Sequence, residues 1–303
     1  MSTPIRVTGA WTALLTDWLD HEQLPAPDLR AALARWAPED IVPMPVWRDA
    51  LTRAVALRPG SAGTALAIGA LVQPRHIGVL GYLVLASDTL GAAMQTYQRY
   101  EKLFYGADLA EVAIEGDQAE IRWQTDSEHF GHLHDSVAIA ALVTFLRRQV
   151  EQAPPPTRVT FVNAAPSDPR ELAAYEAFFG CPVRFEESHT RVRFPLAYLA
   201  IPMPHSDPGL RALLDRQAQA LLLALPNSDA FDRALQQAML RLLPDGRASL
   251  PLAARELHVS ARTLQRRLES RGMNWQQLLD RTREELARQY LADRALTLGD
   301  IAL

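Results

Sequence analysis

The chain has 303 residues, a net charge of −4 and a hydrophobic fraction of 48%, which is typical of a globular protein long enough for two domains. No run of 18 apolar residues predicts a membrane span, and the first residues lack the basic start and apolar core of a secretion signal. Cys181 is the sole cysteine, which excludes an intramolecular disulfide and fits a reducing cytoplasm.

Charge is unevenly distributed along the chain. The net acidity argues against a protein that coats nucleic acid along its whole surface. From residue 229 onward, however, twelve arginines stand against ten carboxylates. Arginine suits bidentate contacts to bases and phosphates. Since Lys102 is the only lysine, the general preference for arginine is better explained by codon usage than by binding.

The first 105 residues are predicted to be mostly helical. Apolar residues recur at helical spacing, as in the run from Trp11 to Leu19, and prolines interrupt the pattern. Ser87 or Asp88 is expected to cap the last of these helices. The predicted helices cover residues 11–19, 28–36, 46–57 and 90–104.

After Gly106 the apolar period changes from helical to two. Residues 111–115 and 119–123 alternate apolar and polar side chains around Gly116-Asp117, which predicts a β-hairpin. An amphipathic helix is predicted over 137–150. Short strands and a helix capped by Asp168 are predicted between 158 and 194. This order predicts an antiparallel sheet with helices on one face, and therefore an α+β domain after the helical first part.

The stretch 249–271 predicts two short helices joined by a tight turn. Pro251 suits the first turn of a helix, and Ser260 can cap the second helix with its hydroxyl. Leu264 and Leu268, four residues apart, are expected to point inward. This pattern is typical of a helix-turn-helix, and an ordinary helical hairpin is the alternative.

The polar face of the second helix is suited to a DNA major groove. Arginine can read guanine and glutamine can read adenine, so we expect base contacts from Arg262, Gln265 and Arg266. Hydroxyls and N–H groups at a helix start suit phosphate, as does an arginine beside the reading face. The predicted DNA contacts are Ser260, Arg262, Thr263, Gln265, Arg266 and Arg267.

The C-terminal motifs resemble a known family. S-x-R-T-L-Q-R-R-L, from Ser260 to Leu268, is similar to the first helix-turn-helix of AraC/XylS-type transcription regulators. The run from Trp275 and R-x-x-x-A-x-x-Y-L from Arg283 resemble the helix that links the family's two units. Residues 296–302 resemble the opening of the second unit, so the resemblance implies an all-α domain whose second unit is cut off at Leu303. His258 departs from the small residue common in the family, at a turn that often needs a positive φ.

The N-terminal part resembles the arabinose-binding-like domain of one AraC subgroup. The residues that carry this resemblance are 76–93, 175–185 and Pro202-Met203-Pro204, within a match over about residues 10–205. The helical first third argues against a cupin barrel here. The domains expected are 1–205 for sensing, 206–228 as a helix and linker that includes 226–228, and 229–303 for DNA binding.

The resemblance implies a cytoplasmic, ligand-responsive transcription regulator that needs no cofactor and is not an enzyme. Its implied partners are operator DNA, an unidentified small-molecule effector, a second copy of the chain and RNA polymerase. The alternative is a sensor that acts chiefly through protein contacts, with weak DNA binding. Aromatic side chains suit an apolar ligand pocket, though they also suit a core. The predicted ligand residues are Tyr82, Tyr97, Tyr100, Phe104 and Trp123.

One cluster keeps a metal site or an enzyme open as further alternatives. Imidazoles and carboxylates, which are common zinc ligands, gather between Glu128 and Asp135 and include His129, His132 and His134. The simpler interpretation is a polar loop that leads into a helix.

Overall fold

The computed structural model describes residues 5–123, 130–150, 155–224, 235, 238–239, 241–243, 248–269, 274–276 and 278–279. The chain forms two compact units, Met1–Leu222 and Leu223–Leu303. The elements are numbered here along the described residues. No helix among those residues is long and apolar enough to cross a membrane.

Helices make up the first part of unit one, as the apolar spacing predicts. The described helices up to the hairpin are α1 (Gly9–His21), α2 (Pro27–Leu33), α3 (Met44–Ala56), α4 (Thr64–Gly69), α5 (Pro74–Ile77), α6 (Val79–Leu85), α7 (Leu90–Tyr100) and α8 (Lys102–Tyr105). Thr89 caps α7, because its hydroxyl accepts the Ala92 N–H. The expected caps Ser87 and Asp88 were therefore wrong.

A short ribbon that local periodicity does not predict begins the first unit. Strand β1 (Arg6–Thr8) pairs antiparallel with β2 (Ile41–Pro43). Gly9 follows β1 directly, and a Cβ added there would lie 1.8 Å from the Ala37 carbonyl oxygen. Only glycine fits this close approach of two backbone segments.

A five-stranded sheet forms the second part of unit one. Its strands are β3 (Ala110–Glu115), β4 (Gln118–Trp123), β5 (Arg158–Thr160), β6 (Val183–Arg184) and β7 (Thr190–Pro195). The spatial order is β3-β4-β7-β5-β6, and β5 with β6 is its one parallel pair. The hairpin is confirmed, with Val112 opposite Ile121. The α+β class is also confirmed, with a mixed sheet in place of the purely antiparallel one expected.

Helix α9 (His132–Gln149) lies between the helical core and the sheet core. Val137 and Phe145 pack with the helices, whereas Ile139 and Val143 pack with the sheet. The helix contacts α4 closely, since a Cβ on Gly69 would lie 2.5 Å from the Val137 carbonyl oxygen. One helix thus holds two layers together.

The later helices of unit one follow two of the strands. Helix α10 (Pro169–Phe179) lies between β5 and β6, and the Asp168 side chain caps it as predicted by accepting the Arg170 N–H. A 3-10 turn covers Leu196–Ala200. Helix α11 (Pro208–Ala224) buries Ala218 in the core of unit one. From the sequence, this helix is expected in the connecting segment 206–228.

The second unit contains the two predicted short helices. They are α12 (Leu250–Glu256) and α13 (Ala261–Glu269), and Ala253, Leu264 and Leu268 are buried between them. His258 has φ 52°, in the left-handed conformation expected of the turn. The predicted linker at 226–228, the motif from Arg283 and the second unit at 296–303 lie outside the described residues.

Candidate functional site

An apolar cavity of about 80 Å³ lies inside the first unit. Its wall is formed by helices α1 and α5 to α9 and by one face of the sheet. A single water molecule needs ~10–15 Å³, so the cavity is several times larger than the space for one water. The residues that line it are Trp11, Ile77, Leu80, Gly81, Val84, Ala93, Met94, Tyr97, Phe104, Tyr105, Ile121, Trp123, Phe130, His134, Asp135, Ala138, Ile139, Ala141, Leu142, Phe145, Leu146, Thr190 and Phe194.

Three of the five predicted ligand residues line this cavity. They are Tyr97, Phe104 and Trp123. Tyr82 is 44% exposed and is not part of the wall. Tyr100 is buried, but its hydroxyl donates to Asp215 Oδ1 on α11 at 2.6 Å. The structure therefore separates the five aromatic residues into a cavity group, a surface residue and a helix contact.

His134 supplies a neutral imidazole at the cavity wall. Trp47 Nε1 donates to His134 Nδ1 at 3.0 Å. Burial, with a smaller effect from the Arg48 charge, lowers the pKa of His134 to about 3. Because Nδ1 accepts, the ring proton of the neutral form lies on Nε2, which is a hydrogen-bond donor.

Asp135, the next residue, supplies the only carboxyl group among the described lining residues. Asn163 Nδ2 donates to its Oδ2 at 2.7 Å, and the Thr190 hydroxyl lies 3.5 Å from the same oxygen. Burial raises the pKa of Asp135 to about 7, although both contacts favour the charged form. The cavity wall thus holds an acid that titrates near neutral pH.

The two indoles in the wall differ in their hydrogen bonding. Trp123 is hydrogen-bonded to Tyr97, which is also bonded to Tyr105. Trp11 Nε1 is buried and has no hydrogen-bond partner among the described residues. The Trp11 ring packs edge-on against Phe104, with ring centroids 5.1 Å apart. A donor without an acceptor in a low-dielectric wall is costly to the folded state.

Several residues that line the cavity were not predicted from the sequence as ligand residues. Trp11 and Phe145 read only as the inner faces of helices, and Phe130 precedes α9 without any periodic signal. His134 and Asp135 were noticed, but as candidate metal ligands or as a helix start. The position of His134 against Trp47 and of Asp135 against Thr190 depends on long-range packing, which local patterns do not contain.

The described histidines of the candidate metal cluster do not come together in a common site. His134 is buried against Trp47, whereas His132 is exposed at the start of α9. Glu128 and His129 lie outside the described residues. Among the described residues, no three His, Cys, Asp or Glu side chains come together in a group that could hold a metal ion.

Helix α13 presents a row of exposed polar side chains. Its cap is formed as predicted, because Ser260 Oγ accepts the Thr263 N–H at 3.1 Å and lies 2.8 Å from the Thr263 hydroxyl. Leu264 and Leu268 are at most 1% exposed and fix the helix against α12. The exposed residues of the helix are Arg262, Gln265, Arg266 and Arg267. The six predicted DNA residues therefore lie on one short helix and its cap.

Comparisons with known proteins identify the family of the chain. Residues 28–203 match the arabinose-binding domain of AraC transcription regulators. The chain is 31% identical to the ornithine utilization regulator of Pseudomonas aeruginosa over 244 residues, 80% of this chain and 71% of that protein. It is 24% identical to the HTH-type transcriptional regulator VqsM of the same organism, over 84% of this chain and 79% of VqsM. The solved structure of the P. aeruginosa regulator CdpR is similar at 21% identity, with a TM-score of 0.49 over 96% of this chain and 88% of CdpR.

Proposed function

The chain belongs to the AraC-type transcription regulators, and from this premise we propose that it senses a small molecule through unit one and reads operator DNA through α13. The family and its relatives are regulators of transcription and not enzymes. We propose that it acts in the cytoplasm. Its proposed partners are operator DNA, a small-molecule effector, a second copy of the chain and RNA polymerase.

The exposed face of α13 is the observation that carries the DNA-binding proposal. The helix has nine residues, and an α-helix with its side chains is about 10–12 Å in diameter, which a major groove about 12 Å wide admits. Arg262 and Arg266, one turn apart, can reach guanine edges, and Gln265 beside them can reach adenine. Ser260 and Thr263, at the positive end of the helix, are placed to meet phosphate.

The cavity in unit one supports the sensing proposal, because helix α7 forms part of its wall and also contacts α11. Met94 and Tyr97 line the cavity. On another face of the same helix, Thr96 accepts from Arg211 Nη2 at 2.9 Å and Tyr100 donates to Asp215 at 2.6 Å.

Helix α11 ends at Ala224, at the boundary of the second unit in the chain. A ligand that displaces α7 would alter these contacts with α11. It would shift the regulator between two states only if its affinity for them differs.

Binding to selected DNA tests the proposal. Duplexes that the full chain enriches from a random pool would be compared with unselected duplexes by fluorescence anisotropy. We expect selected duplexes to bind at least about 10³-fold more tightly. Affinity should fall as salt rises, since phosphate contacts release counterions. Equal affinity for both pools would refute sequence reading and favour the alternative, a sensor that acts through protein contacts.

A further inference from the structure

The cavity wall carries almost no charge. Among its described lining residues there is no lysine or arginine, and Asp135 is the one carboxyl group. His134 adds no charge, because Trp47 and burial keep it neutral. An ionised ligand group in such a site would lose its hydration without gaining a partner of opposite charge.

Asp135 is not an available counter-ion for a cationic ligand. Its Oδ2 already accepts from Asn163 at 2.7 Å. The carboxyl group thus completes a contact between α9 and the segment after β5. An amino acid with both charges would also find no cation for its carboxylate among the described residues of the wall.

One N–H donor at the wall is available to a ligand. Because His134 Nδ1 accepts from Trp47, His134 Nε2 carries the ring proton, and none of the described residues accepts it. Trp11 Nε1 also has no partner among the described residues, but it has almost no exposed surface and so does not reach a molecule in the cavity. Trp11 packs beside Trp47, with centroids 6.2 Å apart, so the His134 donor adjoins a contiguous group of rings.

Aromatic rings lie near this donor. Tyr105 packs edge-on against Phe104 and against Phe130, with centroids 4.7 and 6.0 Å apart. Phe130 and His134 rings are 5.1 Å apart. Edge and face contacts of this kind favour a flat ring as an additional partner.

We propose that the cavity binds a neutral, mainly apolar molecule with an aromatic ring and one hydrogen-bond acceptor such as a carbonyl group, which accepts from His134 Nε2. This inference rests on the proposed sensing role of the cavity and adds the chemical class of the effector. It also separates this chain from a sensor of charged amino acids.

Matched small molecules test the proposal on the full chain. Acetophenone has a ring and a neutral acceptor, ethylbenzene lacks the acceptor, benzoate adds a negative charge, and L-ornithine is a charged amino acid. We expect acetophenone to raise the melting temperature saturably, as a ligand of the folded state does. It should bind about three- to tenfold more tightly than ethylbenzene, the effect of one hydrogen bond. Benzoate and L-ornithine should give no shift.

Two variants and a control variant test whether the probes bind at the wall of this cavity. His134→Phe removes the N–H donor and should reduce the preference for acetophenone over ethylbenzene, with circular dichroism reporting the fold. Ala138→Leu narrows the cavity and should weaken binding of both aromatic probes. Tyr82→Phe, at an exposed residue outside the wall, should change neither affinity.

The possible results of these measurements distinguish a wrong ligand class from a wrong sensing role. A shift with L-ornithine or benzoate but not with acetophenone would overturn the neutral class and leave the sensing role intact. No shift with any probe, or an unchanged preference in a folded His134→Phe, would overturn the inference. The DNA measurement described above decides the regulatory role independently.

Discussion

Individual side chains explain how the interior of unit one combines apolar packing with titratable groups. Asp135 and Glu101 are both buried carboxyls, and burial raises the pKa of each to about 7. Glu101 Oε1 accepts the Leu109 and Ala110 N–H groups and so fixes the start of strand β3. Such groups make the stability of this unit depend on pH.

Asp135→Asn should change that dependence in a defined direction. The folded pKa of Asp135, about 7, lies above its ordinary value of 3.8. Between these values the folded state retains a proton that the unfolded state has lost. The contribution to stability is therefore complete at low pH and is lost as pH rises towards 7. The isosteric amide removes this contribution and leaves Glu101 and His134 in place.

Denaturant unfolding of both proteins at several pH values measures the effect. From pH 4 to 7 the free energy of unfolding of the wild type should fall relative to that of Asp135→Asn, by up to about 1.4 kcal/mol per pH unit. Above pH 8 the difference should be constant. Parallel curves across the whole range would show that Asp135 is not buried as described.

Two tyrosines of helix α7 show which properties of a single residue can be predicted from the sequence. Tyr97 and Tyr100 are three residues apart on α7, and both read as inward-facing aromatics. One lines the cavity and the other bonds Asp215 on α11. Periodicity places both on the buried side of a helix, but only the position of the neighbouring helices decides which of them faces a ligand space.

At the scale of elements, prediction succeeded where the signal is local. The alternation around Gly116-Asp117 extends over a dozen residues, and it predicted the hairpin that the structure contains. The parallel pairing of β5 with β6 and the ribbon of β1 with β2 join distant segments of two or three residues each. No local period indicates such pairings, because the strands are too short to alternate recognisably.

The two short helices of the second unit offer a matched test of capping. Ser260 and Ser249 both precede a helix, yet only the Ser260 side chain bonds a backbone N–H. Removing a bonded cap typically costs about 1 kcal/mol. Ser260→Ala should therefore increase hydrogen exchange of the first α13 amides about fivefold. Ser249→Ala should have a smaller effect on α12. Equal effects of the two substitutions would contradict the assignment of the cap.

At the scale of the whole molecule, the C-terminal boundary of the sensing unit differs between the sequence prediction and the structure. The sequence placed its end at residue 205, whereas α11 contributes Ala218 to the core and bonds α7 through Arg211 and Asp215. We expect a chain of residues 1–224 to melt at a higher temperature than one of residues 1–205. Thermal unfolding by circular dichroism compares the two. Identical melting temperatures would place α11 outside the stable unit.

The central claim is that the exposed face of α13 reads DNA sequence for this AraC-type regulator. Selection from a random duplex pool, carried out with the wild type, Gln265→Ala, Arg266→Ala and Arg53→Ala, tests it most directly. Arg53 lies on α3 in the first unit, so its replacement matches the charge change of Arg266→Ala. The wild type and Arg53→Ala should enrich the same sequence. The two α13 variants should each lose preference at one base position, worth about 1–3 kcal/mol. Enrichment of the same DNA sequence by all four proteins would contradict the claim.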